Sequence, residues 1–325
     1  MPDVPLLVIF GPTAIGKTEL LSKLFSSFSS SSLLSGCAEI VNADSVQVYS
    51  HAKVASAMPS ERVLDGLKHH LVSYKSPFDE FSTSDFVNEA NKIVPLIYKK
   101  KKLPVLAGGV AFFIANFIYG LPTTPKSSIE KREWLQKLLK EEGSYSMYER
   151  LAKVDPISAK KIHINDTYRV LRALEVYYDS NVPLSSYKLF KKKRSDYKFL
   201  IIYLWQDRKT LYERIEKRVD VMAKDLEVEF RGICEECLSK GISPSIENVP
   251  LFKSIGYREF FDINPTNPCD APFDKVIALI KRDTKRYAKR QETFFKRLPY
   301  DVIVNMQEKN WYKNLHNAIV NFYDE

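Results

Sequence analysis

Cysteine is scarce in this chain of 325 residues: Cys37, Cys234, Cys237 and Cys269 are the only four. Four scattered thiols build no disulfide framework, which excludes the small stapled scaffolds of secreted proteins. Cys234 and Cys237 form a C-x-x-C, but neither a second pair nor a clustered histidine completes a zinc site. At i, i+3 the two read as one face of a helix. Histidine is as rare. The adjacent His69 and His70 follow a short helix-like stretch and have no ligand cluster around them, so they read as packing and hydrogen-bonding residues. No apolar run approaches the ~18 residues that a membrane span needs. The amino-terminal residues run directly into an apolar strand, leaving no room for a signal peptide. The expectation is a reduced, cytoplasmic protein with no membrane partner.

What is present fits a globular enzyme: 45% of the residues are hydrophobic and 27% charged. The 49 basic against 40 acidic residues give a net charge of +9, which favours a polyanionic partner. The most informative stretch is GPTAIGKT, made of Gly11, Pro12, Thr13, Ala14, Ile15, Gly16, Lys17 and Thr18. It follows the apolar run Leu6-Leu7-Val8-Ile9-Phe10 and matches G-x-x-x-x-G-K-[ST] in the setting of strand, loop and helix. The glycines let backbone N–H groups curl around an anion at the positive end of the following helix. Lys17 reaches the terminal phosphates, and the Thr18 hydroxyl is placed to ligate Mg²⁺. The loop predicts a diphosphate or longer ligand without saying that it belongs to a nucleotide.

The first third alternates strand and helix: a strand over residues 6–10, a helix over 17–28, a serine-rich connector over 26–35 and a strand over 38–41. Helical periodicity over 86–102 ends in lysines, and a buried strand over 103–107 closes on Gly108-Gly109. This spacing predicts an α/β fold, a phosphate-loop parallel sheet. From about 114 to 193 helical patterns dominate, including 129–142 and 166–178. A strand then returns over 199–204, with helices to the end. Residues 1–113 and 200–325 thus read as an α/β core, and 114–199 as a helical insertion domain.

Asp44 lies just past the carboxyl end of the second strand, where open parallel sheets bind ligands. Asn165 or Asp166 can cap a helix that carries Arg169 and Arg172. Arg214 and Arg218, at i, i+4, can present two forks to a diphosphate or pair with Glu213 and Glu216. Lys281, Lys285 and Lys289 lie on one helical row, with Arg282, Arg286 and Arg290 on the next. Such a stripe suits a phosphate backbone or is simply a solvated face.

Together these motifs resemble the tRNA dimethylallyltransferase (tRNA isopentenyltransferase) family. The resemblance spans nearly the whole chain in family order. After GPTAIGKT come NADSVQVY from Asn42, KHHL from Lys68, PVLAGG from Pro104, DPISAKKIHINDTYRVLRALEVYY from Asp155, SIGYREF from Ser254 and YAKRQETFF from Tyr287. It implies transfer of a dimethylallyl group from dimethylallyl diphosphate to N6 of adenosine 37 in tRNA. By the resemblance the phosphate loop holds the diphosphate, Asp44 is the base, and Lys17, Thr13, Arg218 and Mg²⁺ on Thr18 complete the catalytic group. The segments matched to tRNA contact are Asp44, Ser45, Val46 and Gln47; Tyr168, Arg169, Val170, Leu171 and Arg172; Lys253, Ser254, Ile255, Gly256, Tyr257 and Arg258; and the run from Lys289, Arg290 and Gln291 to Lys296. The helical insertion would grip the anticodon stem-loop, and the protein would act as a monomer.

Two features depart from the family pattern. Val110 stands where the family reads Thr or Ser after the paired glycines, which removes one polar contact and implies either reduced activity or compensation by another group such as Thr13. No C-terminal zinc finger is present, as in bacterial-type members. The alternatives are a phosphate-loop kinase acting on a small acceptor, with Asp44 holding its hydroxyl, and a non-catalytic RNA-binding protein with a vestigial loop.

Overall fold

All six strands of the sheet run parallel, as a chain that alternates strand and helix requires. The computed structural model describes residues 4–29, 33–122, 124–125, 128–187 and 192–324, so the middle of the serine-rich connector lies outside the described residues. The strands are β1 (Val4–Phe10), β2 (Ala38–Ala43), β3 (His69–His70), β4 (Leu103–Gly108), β5 (Tyr197–Trp205) and β6 (Val302–Asn305), in the order β3-β2-β4-β1-β5-β6. β2 and β4 are buried residue after residue and β1 nearly so, so both faces of the central strands are covered.

Register is what positions the site. Phe10 pairs with Gly108 and Gly108 with Ala43, so β1, β4 and β2 end side by side. The next residues, Gly11, Gly109 and Asp44, therefore leave one edge of the sheet together. Gly108 is required there because a Cβ would collide with the Ala43 carbonyl oxygen.

Around the sheet, α1 (Lys17–Phe25), α2 (Glu61–Gly66), α3 (Thr83–Lys99) and α4 (Ala111–Tyr119) follow the first strands. α1 stops before the expected residue 28 because Ser26 turns extended and its hydroxyl accepts from the Phe28 N–H. α3 begins earlier than expected, at a capping box between Ser82 and Asp85, and ends earlier because Lys101 takes a positive φ of 57°. Past β5 come α8 (Arg208–Ser239), α9 (Arg258–Ile263), α10 (Phe273–Phe295) and, after β6, α11 (Trp311–Asp324). The expectation of helices alone to the chain end is thus corrected by β6, a four-residue strand paired to β5. Cys234 and Cys237 are buried on the inner face of α8.

The chain divides into two compact units, Tyr119–Lys193 and the remainder. The smaller unit is narrower than 114–199, because residues 114–118 continue α4 and β5 begins at Tyr197. It contains α5 (Ile129–Val154), α6 (Pro156–Ala159) and α7 (Thr167–Ser180) around a core of Leu135, Met147, Leu151, Val170, Leu171 and Leu174. α5 breaks at Gly143, whose φ of 80° and ψ of 170° lie outside the helix, and Asp166 caps α7 by accepting from the Arg169 N–H.

Candidate active site

The phosphate loop is the turn from β1 into α1. Gly11 has no room for a side chain, since a Cβ would lie 2.9 Å from the Leu204 carbonyl oxygen. Gly16 adopts a φ of 100° and Ala14 a φ of 63°, which curl the backbone into a hollow ahead of α1. The Lys17 ammonium donates to the Gly11 and Pro12 carbonyls, each at 2.9 Å. Burial lowers the Lys17 pKa to about 8; the charge of Asp44 opposes this shift, and that of Arg218 adds to it.

Asp44 is fixed by a turn of its own: its Oδ1 accepts from the Val46 N–H at 2.8 Å and the Gln47 N–H at 3.2 Å. Beside it lies a pocket of about 310 Å³ whose lining includes Thr13, Asp44, Ser45, Arg218, Lys253, Ser254, Gly256, Tyr287 and Arg290. Val46, Val219, Met222, Ile255 and Ile280 give it an apolar wall. The loop, the acid, the arginine and the SIGYREF segment, far apart in sequence, thus meet in one hollow.

Arg218 reaches this hollow from α8. Its Nε is buried without a hydrogen-bond partner, and burial lowers its pKa against the opposing charge of Asp44. A buried guanidinium nitrogen left unpaired is a donor waiting for an anion. Arg214 does something else. Its Nε donates to the Ala14 carbonyl at 2.8 Å, so it braces the phosphate loop from outside, and of the two guanidiniums only Arg218 lines the pocket. Tyr287 faces the same hollow; burial and then the charge of Asp44 raise its phenol pKa.

Glu229 belongs to none of the sequence motifs. Its carboxylate accepts from the Val54 and Ala55 N–H groups at 2.6 and 3.0 Å and from the Tyr257 hydroxyl at 2.6 Å. It ties the segment behind Ala55 and Ser56, two pocket residues, to α8. Gln47 helps from the other side, donating to the Ser56 and Ala57 carbonyls at 3.1 and 3.2 Å. No sequence signal marks Glu229, because its backbone partners lie 175 and 174 positions away and Tyr257 lies 28 away, outside any helical or strand period.

Six residues matched to tRNA contact, Val170, Leu171, Tyr257, Gln291, Glu292 and Phe295, are interior and cannot offer a side chain to a macromolecule. Val170 and Leu171 are core residues of the smaller unit. Tyr257 is fully buried on Glu229. Gln291 is 4% exposed and hydrogen-bonded to the phosphate loop. The remaining ones are accessible to different degrees. Tyr168 is 82% exposed, Arg169 pairs with Asp166 at 3.2 Å, and Arg172 pairs with Glu175 and donates to the Pro125 carbonyl. Lys253 is exposed at the pocket rim, Arg258 reaches Asp283 at 3.4 Å, and Lys289 and Arg290 are exposed on α10. His70 and His69 are structural, the first bonded to Glu39 at 2.7 Å and the second to the Leu67 carbonyl.

A parallel sheet with a phosphate loop, a carboxylate and an unpaired arginine around a partly apolar hollow defines a phosphate-loop α/β enzyme. The comparisons narrow the class. A family model described as IPP transferase matches residues 47–298. The tRNA dimethylallyltransferase of Borreliella burgdorferi (strain ZS7) is 37% identical over 300 residues, covering 92% of each chain. The crystal structure of the full-length tRNA isopentenylpyrophosphate transferase of Bacillus halodurans superposes with a TM-score of 0.64 at 28% identity, over 99% of this chain and 97% of that one. A tRNA isopentenylpyrophosphate transferase of Staphylococcus epidermidis gives 0.63 at 29% identity, over 98% and 99%. The chain belongs to the IPP transferase family.

Proposed function

We infer that this protein is a tRNA dimethylallyltransferase, which moves the dimethylallyl group of dimethylallyl diphosphate onto N6 of adenosine 37 in tRNA to give N6-(dimethylallyl)adenosine. The observation that carries this reading is the shared pocket, where Thr13, Asp44 and Arg218 line the same hollow as an apolar wall. A kinase needs no such wall beside its phosphates, whereas a short branched hydrocarbon does.

In this reading the loop N–H groups, Lys17 and Arg218 hold the diphosphate, and negative charge grows on it as the bond from C1 to oxygen breaks. Donors already fixed toward that charge stabilise it more in the transition state than in the ground state. The N6 amine forms the new bond to C1. Its lone pair is delocalised into the ring, so a carboxylate that accepts its hydrogen bond and takes its proton helps it, and in this reading Asp44, which lines the pocket, is that carboxylate. The Asx turn keeps one Asp44 oxygen on backbone N–H groups and leaves the other for the amine. The adenine must leave its stack to enter a pocket of this size.

No group of three or more His, Cys, Asp or Glu side chains arranged for a metal occurs among the described residues. A single hydroxyl at the start of α1 suits Mg²⁺ arriving with a diphosphate, because Mg²⁺ keeps water and phosphate oxygens around few protein ligands. The Thr18 hydroxyl would hold it, and it would supply positive charge to the leaving group. Exposed Tyr168 and Arg169 in the smaller unit, Lys253 and Arg290 at the pocket, and Lys289 exposed on α10 support an anticodon stem-loop as partner. We read the protein as a monomer acting in the cytoplasm; no helix among the described residues is long and apolar enough to cross a membrane.

The test is incubation with dimethylallyl diphosphate, Mg²⁺ and unmodified tRNA, followed by nuclease digestion and mass measurement of the nucleosides. A dimethylallyl mass increment on adenosine from the anticodon loop is expected. ATP turnover without prenyl transfer would replace this reading with the kinase.

A further inference from the structure

Gln291 lies on α10 between two exposed basic neighbours, Lys289 and Arg290, and the interior of the sheet edge. Its carboxamide is 4% exposed, with both ends engaged. The Thr13 N–H donates to Oε1 at 2.9 Å, and Nε2 donates to the Gly109 carbonyl at 2.7 Å. Neither partner can exchange roles, because an amide N–H only donates and a carbonyl only accepts, so the orientation of the carboxamide is forced. Gly109 is glycine for the same reason: a Cβ there would stand 2.7 Å from Nε2 of Gln291. One side chain therefore spans the turn after β1 and the turn after β4 and holds both to α10.

We propose that Gln291 is a positioning residue for the donor diphosphate: it sets the phosphate loop at Thr13 against the end of β4. The argument is one of donors and acceptors. Phosphate loops hold anions with backbone N–H groups, and a loop free to rotate at Thr13 would point some of them elsewhere. Gln291 fixes that peptide by accepting its N–H, and it is itself fixed by Gly109. The same pocket lining contains Thr13 and Asp44, so the peptide that Gln291 pins also carries a side chain facing the reacting groups. Only a neutral group with one acceptor and one donor at this length satisfies both turns. Two single changes separate that requirement from packing. Gln291→Met keeps the length and loses both bonds. Gln291→Glu keeps the acceptor, but when ionised it has no donor for Gly109 and sets a negative charge beside the anion site. When protonated, the glutamic acid regains a donor and an acceptor.

This inference rests on the phosphate loop binding a diphosphate, and the experiment separates the two. Inorganic diphosphate with Mg²⁺ is titrated by calorimetry into the full-length wild type, Gln291→Met and Gln291→Glu, with far-ultraviolet circular dichroism to show that each is folded. Affinity is expected to fall about tenfold or more in Gln291→Met and further in Gln291→Glu near pH 7.5, with prenyl transfer at saturating donor down by as much as ~10²-fold, the cost of a displaced reacting group. The ratio of Gln291→Glu to wild-type affinity is expected to recover as pH falls through the range of a buried glutamate, above its ordinary ~4.3. Lys17, Asp44, Arg218, Tyr287 and Arg290 face the site in every variant, and the ratio of Gln291→Met to wild type, free of the added carboxyl, gives the baseline against which the recovery is read. Such recovery is not expected of a residue that merely fills space. Wild-type affinity in both variants, or a ratio flat with pH, would overturn the positioning role alone. A wild type that binds no diphosphate would overturn the loop reading and this inference with it.

Discussion

Lys17 and Arg218 in the pocket, and Lys281, Arg282, Lys285 and Arg286 along α10, are similar cations in opposite circumstances. Among the described residues the pocket pair has no ion-pair partner within reach; Lys17 rests on two carbonyls and Arg218 keeps a buried nitrogen unbonded. The four on α10 are matched to acids. Lys281 meets Asp220 of α8 at 2.5 Å, Lys285 meets Glu216, and Arg282 and Arg286 share Asp283 at 2.9 and 3.3 Å. Positive charge with no acid in contact is free to meet a ligand, and charge already paired with an acid belongs to the fold. The contrast divides a site that waits for an anion from a stripe that mainly fastens α10 to α8 and to itself.

The largest break in that contrast comes from Asp44, the acid whose charge acts on Lys17, Arg218 and Tyr287 alike. Asp44→Asn should slow single-turnover prenyl transfer by ~10²–10⁴-fold, the scale of general-base catalysis, with little change in tRNA affinity. It should also lower the Lys17 pKa further, since the Asp44 charge is what opposes the effect of burial there. A variant that turns over at the wild-type rate would remove Asp44 as the base.

Lys17 offers a second break, through pH. Its pKa in the folded protein is about 8 against an ordinary 10.5, because burial disfavours the ammonium. The charged, anion-binding form is therefore present below pH 8 and lost above it. Diphosphate affinity should weaken by up to tenfold per pH unit above about pH 8 as the charge disappears. Stability runs the other way: between about 8 and 10.5 the unfolded chain holds a proton that the folded one has released, so this group's contribution rises with pH. Calorimetric titrations of diphosphate at pH 7, 8 and 9 with thermal melts alongside check both signs. Lys17→Arg keeps its charge at these pH values and should flatten the affinity profile, whatever it does to its level.

How far each of these residues is legible in the sequence depends on how local its partners are. GPTAIGKT was legible because strand, glycines and helix start adjoin in sequence, and their geometry follows from residue type. Asp44 was legible from its place after a strand. Arg218 was half legible, since i, i+4 spacing gave its direction but could not show that Arg214 turns to the Ala14 carbonyl. Gln291 and Glu229 were not, because each meets partners more than 170 positions away, and such pairing leaves no periodicity. The short strands β3 and β6 escaped because two and four residues carry too little alternation to separate strand from loop. Val170 and Leu171 match the contact motif by position, yet their apolar side chains face the core of the smaller unit.

The smallest effect bears most directly on the stripe. Read from spacing, all six of its cations would track a phosphate backbone; read from the structure, Lys289 and Arg290 have no acid within ion-pair distance among the described residues, and both are exposed. A lysine held by Asp220 or Glu216 has no free charge with which to displace counterions unless the RNA first breaks that pair. Lys289→Ala with Arg290→Ala should therefore flatten the dependence of log K for tRNA on log[salt] by ~0.7–0.9 for each phosphate that is no longer neutralised. Lys281→Ala with Lys285→Ala should leave that slope nearly unchanged and instead lower the melting temperature slightly, because both pairs to α8 are lost. Filter binding at several salt concentrations, with a melt for each double variant, separates the two pairs. Equal slopes in both would mean that RNA competes successfully for the neutralised lysines, and the division between ligand charge and fold charge would then fail along α10.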